Sequence, residues 1–481
     1  MTFSVNKIYK KKNYAGTEPG NDTMEEKMNK FNAEMENTYF LSHYKNTKGE
    51  KVVFSRKLDG ILSLTKSFTF SAPYLVEELE IDGVEFPESV FCNLENLRKL
   101  TVRNTTIPNG SFSYKGELSE IELDNVIIGH EAFWMCPKIT KVSLEKVKSV
   151  RNDSFMFRAL SDFAEPAEGL VIYDNWVVGF KTFSGDESPI TIDEDIKGIA
   201  GDAFEGSCVE EVIVKSKSIS IGPKAFSESN LKKISFRHKN AVKFIGHGAF
   251  EKTDLAKFDC MSFDVEVETA IFASCGVLEE VVWPARTLPE RTFIHCSQLR
   301  NLDIRNIHEI GKLALAYCMN MAALDIPDSV TSIGEYAFAD MGDVSLKLPQ
   351  NAVIGFRALN HTVPLAETKD GNEVINGWLY KSHFSKTRRG GHVDRVTLQD
   401  YIIGILPGAF GGITIDDLYL APNTTVICPE ALKDTHLRRL HGTLALNAVS
   451  AELFRECPEL EDIDVYDSTV YIEGFSNTRK R

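Results

Sequence analysis

Ile221-Gly222-Pro223-Lys224-Ala225-Phe226, Ile245-Gly246-His247-Gly248-Ala249-Phe250 and Ile333-Gly334-Glu335-Tyr336-Ala337-Phe338 are one hexad written three times. Looser copies keep an apolar residue followed five positions later by an aromatic residue or leucine. Sixteen such copies end at Phe91, Phe112, Phe133, Phe155, Phe204, Phe226, Phe250, Phe272, Phe293, Leu315, Phe338, Leu359, Phe410, Leu432, Phe454 and Phe475. Their spacing is 21 to 24 residues except at two places. A fixed period of this size belongs to a unit that cannot bury its own apolar face, so neighbouring units must stack to close a shared core. The chain is therefore expected to be a solenoid, and its 481 residues one elongated body in place of several globular domains.

Downstream of each aromatic runs a second pattern, Leu-x-x-Ile-x-Ile. It reads Leu97, Leu100, Val102; Leu118, Ile121, Leu123; Leu231, Ile234, Phe236; Leu299, Leu302, Ile304; and Leu460, Ile463, Val465. Its last two apolar positions alternate as in a strand with one face inward, so each unit should supply one short parallel strand. The Ile-Gly-x-x-Ala-Phe half would form the opposite wall. There the Gly suggests a tight turn or a positive φ, and the Ala a short helical turn. The Phe residues are read as core, each contributing about 1.5–3 kcal/mol on burial.

Read continuously from Ile310 to Ile326 and on through Pro327-Asp328-Ser329-Val330-Thr331-Ser332-Ile333-Gly334, this text resembles the BspA-type (Treponema pallidum-type) leucine-rich repeat. The resemblance covers about Leu75 to the C-terminus. It implies a right-handed leucine-rich repeat solenoid, with parallel short strands on the concave face and short helical turns and irregular structure on the convex face. Sixteen units at the strand spacing would extend about 80 Å. Better-known members of that family are bacterial or protozoan surface and secreted adhesins.

Residues 1–22 are polar and expected to be disordered, and residues 23–70 to hold a helix and capping strands. Met24, Met28, Phe31, Met35 and Tyr39 recur at helical steps from about Met24 to Tyr39, with Thr23 and Glu26 as a capping box. That helix would cap the first repeat, or alternatively dock a partner. The solenoid then occupies residues 71–481. Two inserts interrupt it, near 165–195 and 366–400, and they resemble each other. Asp174-Asn175-Trp176-Val177-Val178 matches Asn376-Gly377-Trp378-Leu379-Tyr380, which reads as the same β-hairpin used twice.

The charge is −15 and the pI near 5.3, which argues against a nucleic-acid partner. The basic runs Lys10-Lys11-Lys12, Lys386 to Arg389 and Arg479-Lys480-Arg481 read as solvated surface. No segment is apolar enough for membrane insertion, and no secretory signal is legible near Met1. A cytoplasmic protein is expected, or alternatively one exported by an unrecognised route.

Nine cysteines without a CxxC pair suit free thiols. Five of them, Cys136, Cys275, Cys296, Cys318 and Cys457, lie three residues after a repeat aromatic or leucine and are read as a core column, not as a metal or redox centre. Asp193 and Asp195 resemble a fragment of a calcium loop but, with the remaining ligands and the Gly missing, are read as turn acids, and the sequons at Asn104 and Asn152 matter only in a secreted setting. No catalytic motif, cofactor motif or metal-ligand spacing is present, so an enzyme is not expected.

What remains is a protein-binding surface. The outward strand residues Lys99, Thr101, Glu122, Lys233, Ser235, Arg237, Asn301, Asp303 and Arg305 are candidates for partner contact on the concave face. Tyr173, Trp176, Trp378 and Tyr380 are candidate anchors in the inserts, either as recognition elements or as staples over the joints.

Overall fold

The computed structural model of the chain describes residues 40–44, 51–56, 63–151, 153–155, 169–181, 189–382, 392–411, 413–442, 457 and 459–465. The expected disordered start, the Met24–Tyr39 helix, the three basic runs, Asn152 and the copies ending at Phe454 and Phe475 lie outside them. The chain divides into two compact units. One comprises residues 1–186, 195–204 and 219–225, and the other 187–194, 205–218 and 226–481. Each is a parallel β-solenoid.

In the first unit the strands Lys51–Ser55, Glu78–Asp82, Lys99–Arg103 and Glu120–Asp124 lie side by side in parallel. Their inward residues Val52, Phe54, Leu79, Ile81, Leu100, Val102 and Leu123 are buried. In the second unit the same long wall runs through Glu211–Val214 and Lys233–Phe236, Glu280–Val282 and Asn301–Asp303, and Ala323–Asp325 and Asp343–Lys347. It continues in His392–Thr397, Thr414–Tyr419, Arg439–Gly442 and Asp462–Val465.

Each repeat yields more strand than expected. The residues around the apolar position five before the aromatic pair as a second, shorter parallel wall, as in Thr106–Ile107 with Ile127–Ile128, and Thr287–Leu288 with Glu309–Ile310 and Ser332–Ile333. The glycine that follows this position is not there for positive φ, which none of these glycines adopts. At Gly311 or Gly334 a Cβ would lie 2.5–2.6 Å from a backbone nitrogen of the preceding coil. Close backbone approach sets the residue.

Around the aromatic the chain forms a third wall that is a ladder of turns and not the helical turn expected. The residues two before and two after it are left-handed: Ala270 and Ser274 flank Phe272, Arg291 and His295 flank Phe293, and Leu313 and Tyr317 flank Leu315, with φ of 55–65°. This turns three amides of each coil toward the next coil. Ala270, Phe272 and Ser274 donate to the carbonyls of Glu290, Thr292 and Ile294 at 2.8–2.9 Å. Arg291, Phe293 and His295 donate to Lys312, Ala314 and Ala316 in the same way. The hydrogen bonds between coils offset the cost of placing non-glycine residues in the left-handed region, about 1–2 kcal/mol each.

The aromatics behind this ladder stack face to face. Centroids are 5.4, 5.7 and 4.9 Å apart through Phe91, Phe112, Phe133 and Phe155 in the first unit. They are 5.5, 5.3 and 5.6 Å apart through Phe226, Phe250, Phe272 and Phe293 in the second. All eight are buried.

Candidate functional site

The outward face of the long wall in the first unit is a lattice of matched charges. Glu78, Lys99 and Glu120 share one register row, and Glu80, Thr101 and Glu122 another. Lys99 reaches Glu122 at 3.1 Å and Glu120 at 3.6 Å, and Arg103 bridges Glu80 at 2.5 Å and Glu122 at 3.8 Å. Lys51 also pairs with Glu80, and its hydrogen bond, followed by that of Arg103, holds the Glu80 carboxyl below its usual range. Arg103 passes between Glu80 and Glu122, which flank Thr101. Thr101 is only 3% exposed, so its expected outward role is corrected: it offers a partner no surface. Glu122 is exposed. Such solvent-exposed pairs are worth about 0–1 kcal/mol each.

In the second unit Lys233 pairs with Glu211 at 2.6 Å, and Arg305 folds back on Asp303 at 2.6 Å. Ser235 is half-buried, Arg237 is exposed, and exposed Asn301 lies 3.4 Å from Glu280. These second-unit candidates lie at two strands, Lys233–Phe236 and Asn301–Asp303, that belong to different sheets.

Further along the same wall the structure assembles a cluster that the sequence reading did not pick out. Across three adjacent strands the Arg395 guanidinium lies 4.7 Å from the Tyr419 ring centroid, and the Tyr419 ring stacks on His441 at 4.3 Å and 13°. In the neighbouring register row Asp417 sits between Arg395 and Arg439. Asp417 accepts from Arg439 Nε at 2.5 Å and Nη2 at 2.7 Å, and lies 2.9 Å from His441 Nε2. Those contacts, Arg439 first, bring its pKa down to about 2. The signal was present in Ile415-x-x-Leu418-x-Leu420 and Leu437-x-x-Leu440: alternation turns Tyr419 and His441 outward. Beside them His392, Asp394 and Asp416 bring ligand-type atoms within 4.8 Å of one another, and the site is open to solvent.

The insert aromatics occupy the joints. Trp176 and Trp378 are 1% and 0% exposed. Trp176 pairs with Gly198 and Trp378 with Gly404, and a Cβ on either glycine would fall 2.2–2.4 Å from the indole. Each indole N–H donates to a carbonyl, Leu144 at 3.3 Å and Pro349 at 3.0 Å. Neither indole can meet a partner directly. Tyr173 and Tyr380 are half-buried; the Tyr173 hydroxyl donates to Val142 O at 2.8 Å and that of Tyr380 to Thr362 O at 3.5 Å.

Cys275, Cys296 and Cys318 are buried, and each thiol donates to the aromatic's carbonyl one coil earlier, Phe250, Phe272 and Phe293, at 2.9–3.2 Å. Burial pushes the Cys136 thiol up to about 11 and Cys428 to about 12, and it also raises Cys318. Among the described residues no helix is long and apolar enough to cross a membrane.

The model of the BspA-type leucine-rich repeat region matches residues 65–184, 177–279, 237–345, 265–376 and 379–480. The chain belongs to the BspA-type leucine-rich repeat family. No curated protein matches it as a relative. Among solved structures it is similar to a leucine-rich cell surface protein of Faecalibacterium prausnitzii, with 15% identity, 64% of this chain and 95% of that one covered, and a TM-score of 0.33. It is also similar to a leucine-rich repeat protein of Bacteroides ovatus, with 18% identity, 68% and 95% covered, and a TM-score of 0.26. The pneumococcal vaccine antigen PcpA matches with 17% identity, 63% and 75% covered, and a TM-score of 0.27.

Proposed function

We propose that this family member is a non-enzymatic scaffold that binds a partner protein through the outward face of its long strand wall, anchored at Arg395, Tyr419 and His441. The observation that carries the reading is the face-to-face packing of a guanidinium, a phenol and an imidazole across three strands, held from the next row by Asp417. Tyr and Arg are the side chains that most often dominate interface energetics, and here they are prearranged, which lowers the ordering cost of binding. Lys233, Ser235, Arg237, Asn301, Asp303 and Arg305 would serve as polar rim.

The test is recovery of a partner from the native organism by the intact chain. Arg395→Ala with Tyr419→Ala should weaken recovery at least about tenfold, and Lys233→Glu far less. Full recovery by the double variant would remove the strand wall as the binding face.

A second reading, a surface or secreted adhesin, is supported by the family to which the chain belongs. Antibody labelling of intact cells separates the two: surface signal favours adhesion, and signal only after permeabilisation favours an internal scaffold.

A further inference from the structure

The three-amide ladder of the second unit stops at one coil. Tyr336, Phe338 and Asp340 donate to the carbonyls of Phe356, Ala358 and Asn360 at 2.8–3.1 Å. The next three donors in the series, the amides of Arg357, Leu359 and His361, have no hydrogen-bond acceptor among the described residues. The short wall is interrupted at the same place, since Val353–Ile354 ends one sheet and the neighbouring sheet holds Trp378–Ser382 with Gly404–Ile405. Ser382 N–H donates to Ala409 O at 2.8 Å, so the insert completes the ladder on its far side only.

Between the two edges lies a cleft of about 570 Å³ lined by Arg357, Leu359, Tyr380, Lys381, Ser382 and Ala409 among others, none of them acidic. Arg357 and Lys381 are exposed. Ser382 is 5% exposed, and its Oγ has no hydrogen-bond partner.

A row of backbone donors at alternate residues, two cations and a buried unpartnered hydroxyl share one requirement, an oxygen-rich acceptor. In the five preceding coils, from Phe250 to Phe338, that acceptor is the main chain of the next coil. We infer that the cleft binds an acidic peptide segment of a partner protein, whose carbonyls accept from Arg357 and Leu359 while its carboxylates meet Arg357 and Lys381. This goes beyond the strand-wall reading and uses none of its residues.

The test pans a random dodecapeptide phage library on the full-length protein. Recovered peptides should be rich in Asp and Glu. Their binding should fall at least about tenfold on combining Arg357→Glu with Lys381→Glu, and be unchanged by Lys347→Glu or Tyr419→Ala. Ser382→Ala should leave stability unchanged and weaken the same peptides. Amide hydrogen exchange at Arg357 and Leu359 should be fast in the free protein and slow when peptide binds. Recovery of no peptide, recovery of neutral or basic peptides, binding that survives the double charge reversal, or retention only of RNA or anionic vesicles would each overturn the proposal. Loss of peptides in the Tyr419→Ala variant would overturn it separately, by moving binding to the strand wall.

Discussion

Three residues after many of the core aromatics the chain places a buried side chain that donates a hydrogen bond, while Leu94, Met341 and Ile413 fill the same position with apolar groups. Cys275, Cys296 and Cys318 donate through a thiol turned to the carbonyl of the coil before. Ser229, Thr253 and Thr435 donate through hydroxyls turned to the carbonyl of their own coil. At Lys115 the donor is a buried ammonium bonded to Cys92 O at 2.9 Å. Cysteine conservatively replaced by threonine should therefore be tolerated, whereas Cys296→Val should destabilise by about 0.5–1.5 kcal/mol in denaturant titration, because the Phe272 carbonyl loses the thiol and keeps the Cys275 amide at 3.2 Å. The same placement predicts thiol chemistry. In the native protein a thiol reagent at neutral pH should label exposed Cys92 and Cys208 rapidly and reach the seven buried cysteines only on unfolding. Trp378 is the other residue on which a joint turns. Trp378→Ala should cost about 3–5 kcal/mol by the same measurement, and Gly404→Val should be no milder, since the new side chain would enter the indole's space.

Among the elements, the strand Thr414–Tyr419 carries the most consequential outward row. Asp417 has a folded pKa of about 2, below the roughly 3.9 of an unfolded aspartate. Its stabilising contribution is therefore fully present above about pH 4 and is lost as pH falls from about 4 toward 2. The stability gap between the native chain and Asp417→Asn should be constant from neutral pH down to about pH 5, then close under acid; a gap that persists at pH 2 would exclude the assigned pairing. The short repeated text was enough to read the period, the strand of each Leu-x-x-Ile-x-Ile and the burial of residues such as Phe250 and Cys318, because each follows from alternation or apolar spacing. The turn ladder was not legible. Nothing in Leu313 or Arg291 advertises a left-handed backbone, a conformation imposed by hydrogen bonds to a neighbour 20 or so residues away. Thr101 was misjudged for a related reason: alternation fixes which way a side chain points, while the charged pairs beside it decide whether water reaches it. Tyr419 and His441 were within reach of the pattern, but their meeting depends on strand register.

For the molecule as a whole, the energetic weight lies in the stacked aromatic columns and not in the matched surface charges. Phe250→Ala or Phe293→Ala should lower the melting temperature more than any single change among Lys99, Lys233 or Arg305, and a calorimetric comparison would reveal it. The direction of the turn ladder carries a last consequence. From Phe250 to Phe338 each coil gives through its amides toward its successor and receives through its carbonyls from its predecessor, so these repeats fit like shingles laid one way. Excising residues 273–293, from one aromatic to the next, would bring a donor edge against an acceptor edge and leave a shorter array that still melts cooperatively. Gene duplication can thus lengthen or trim this chain by whole courses without any residue having to be redesigned.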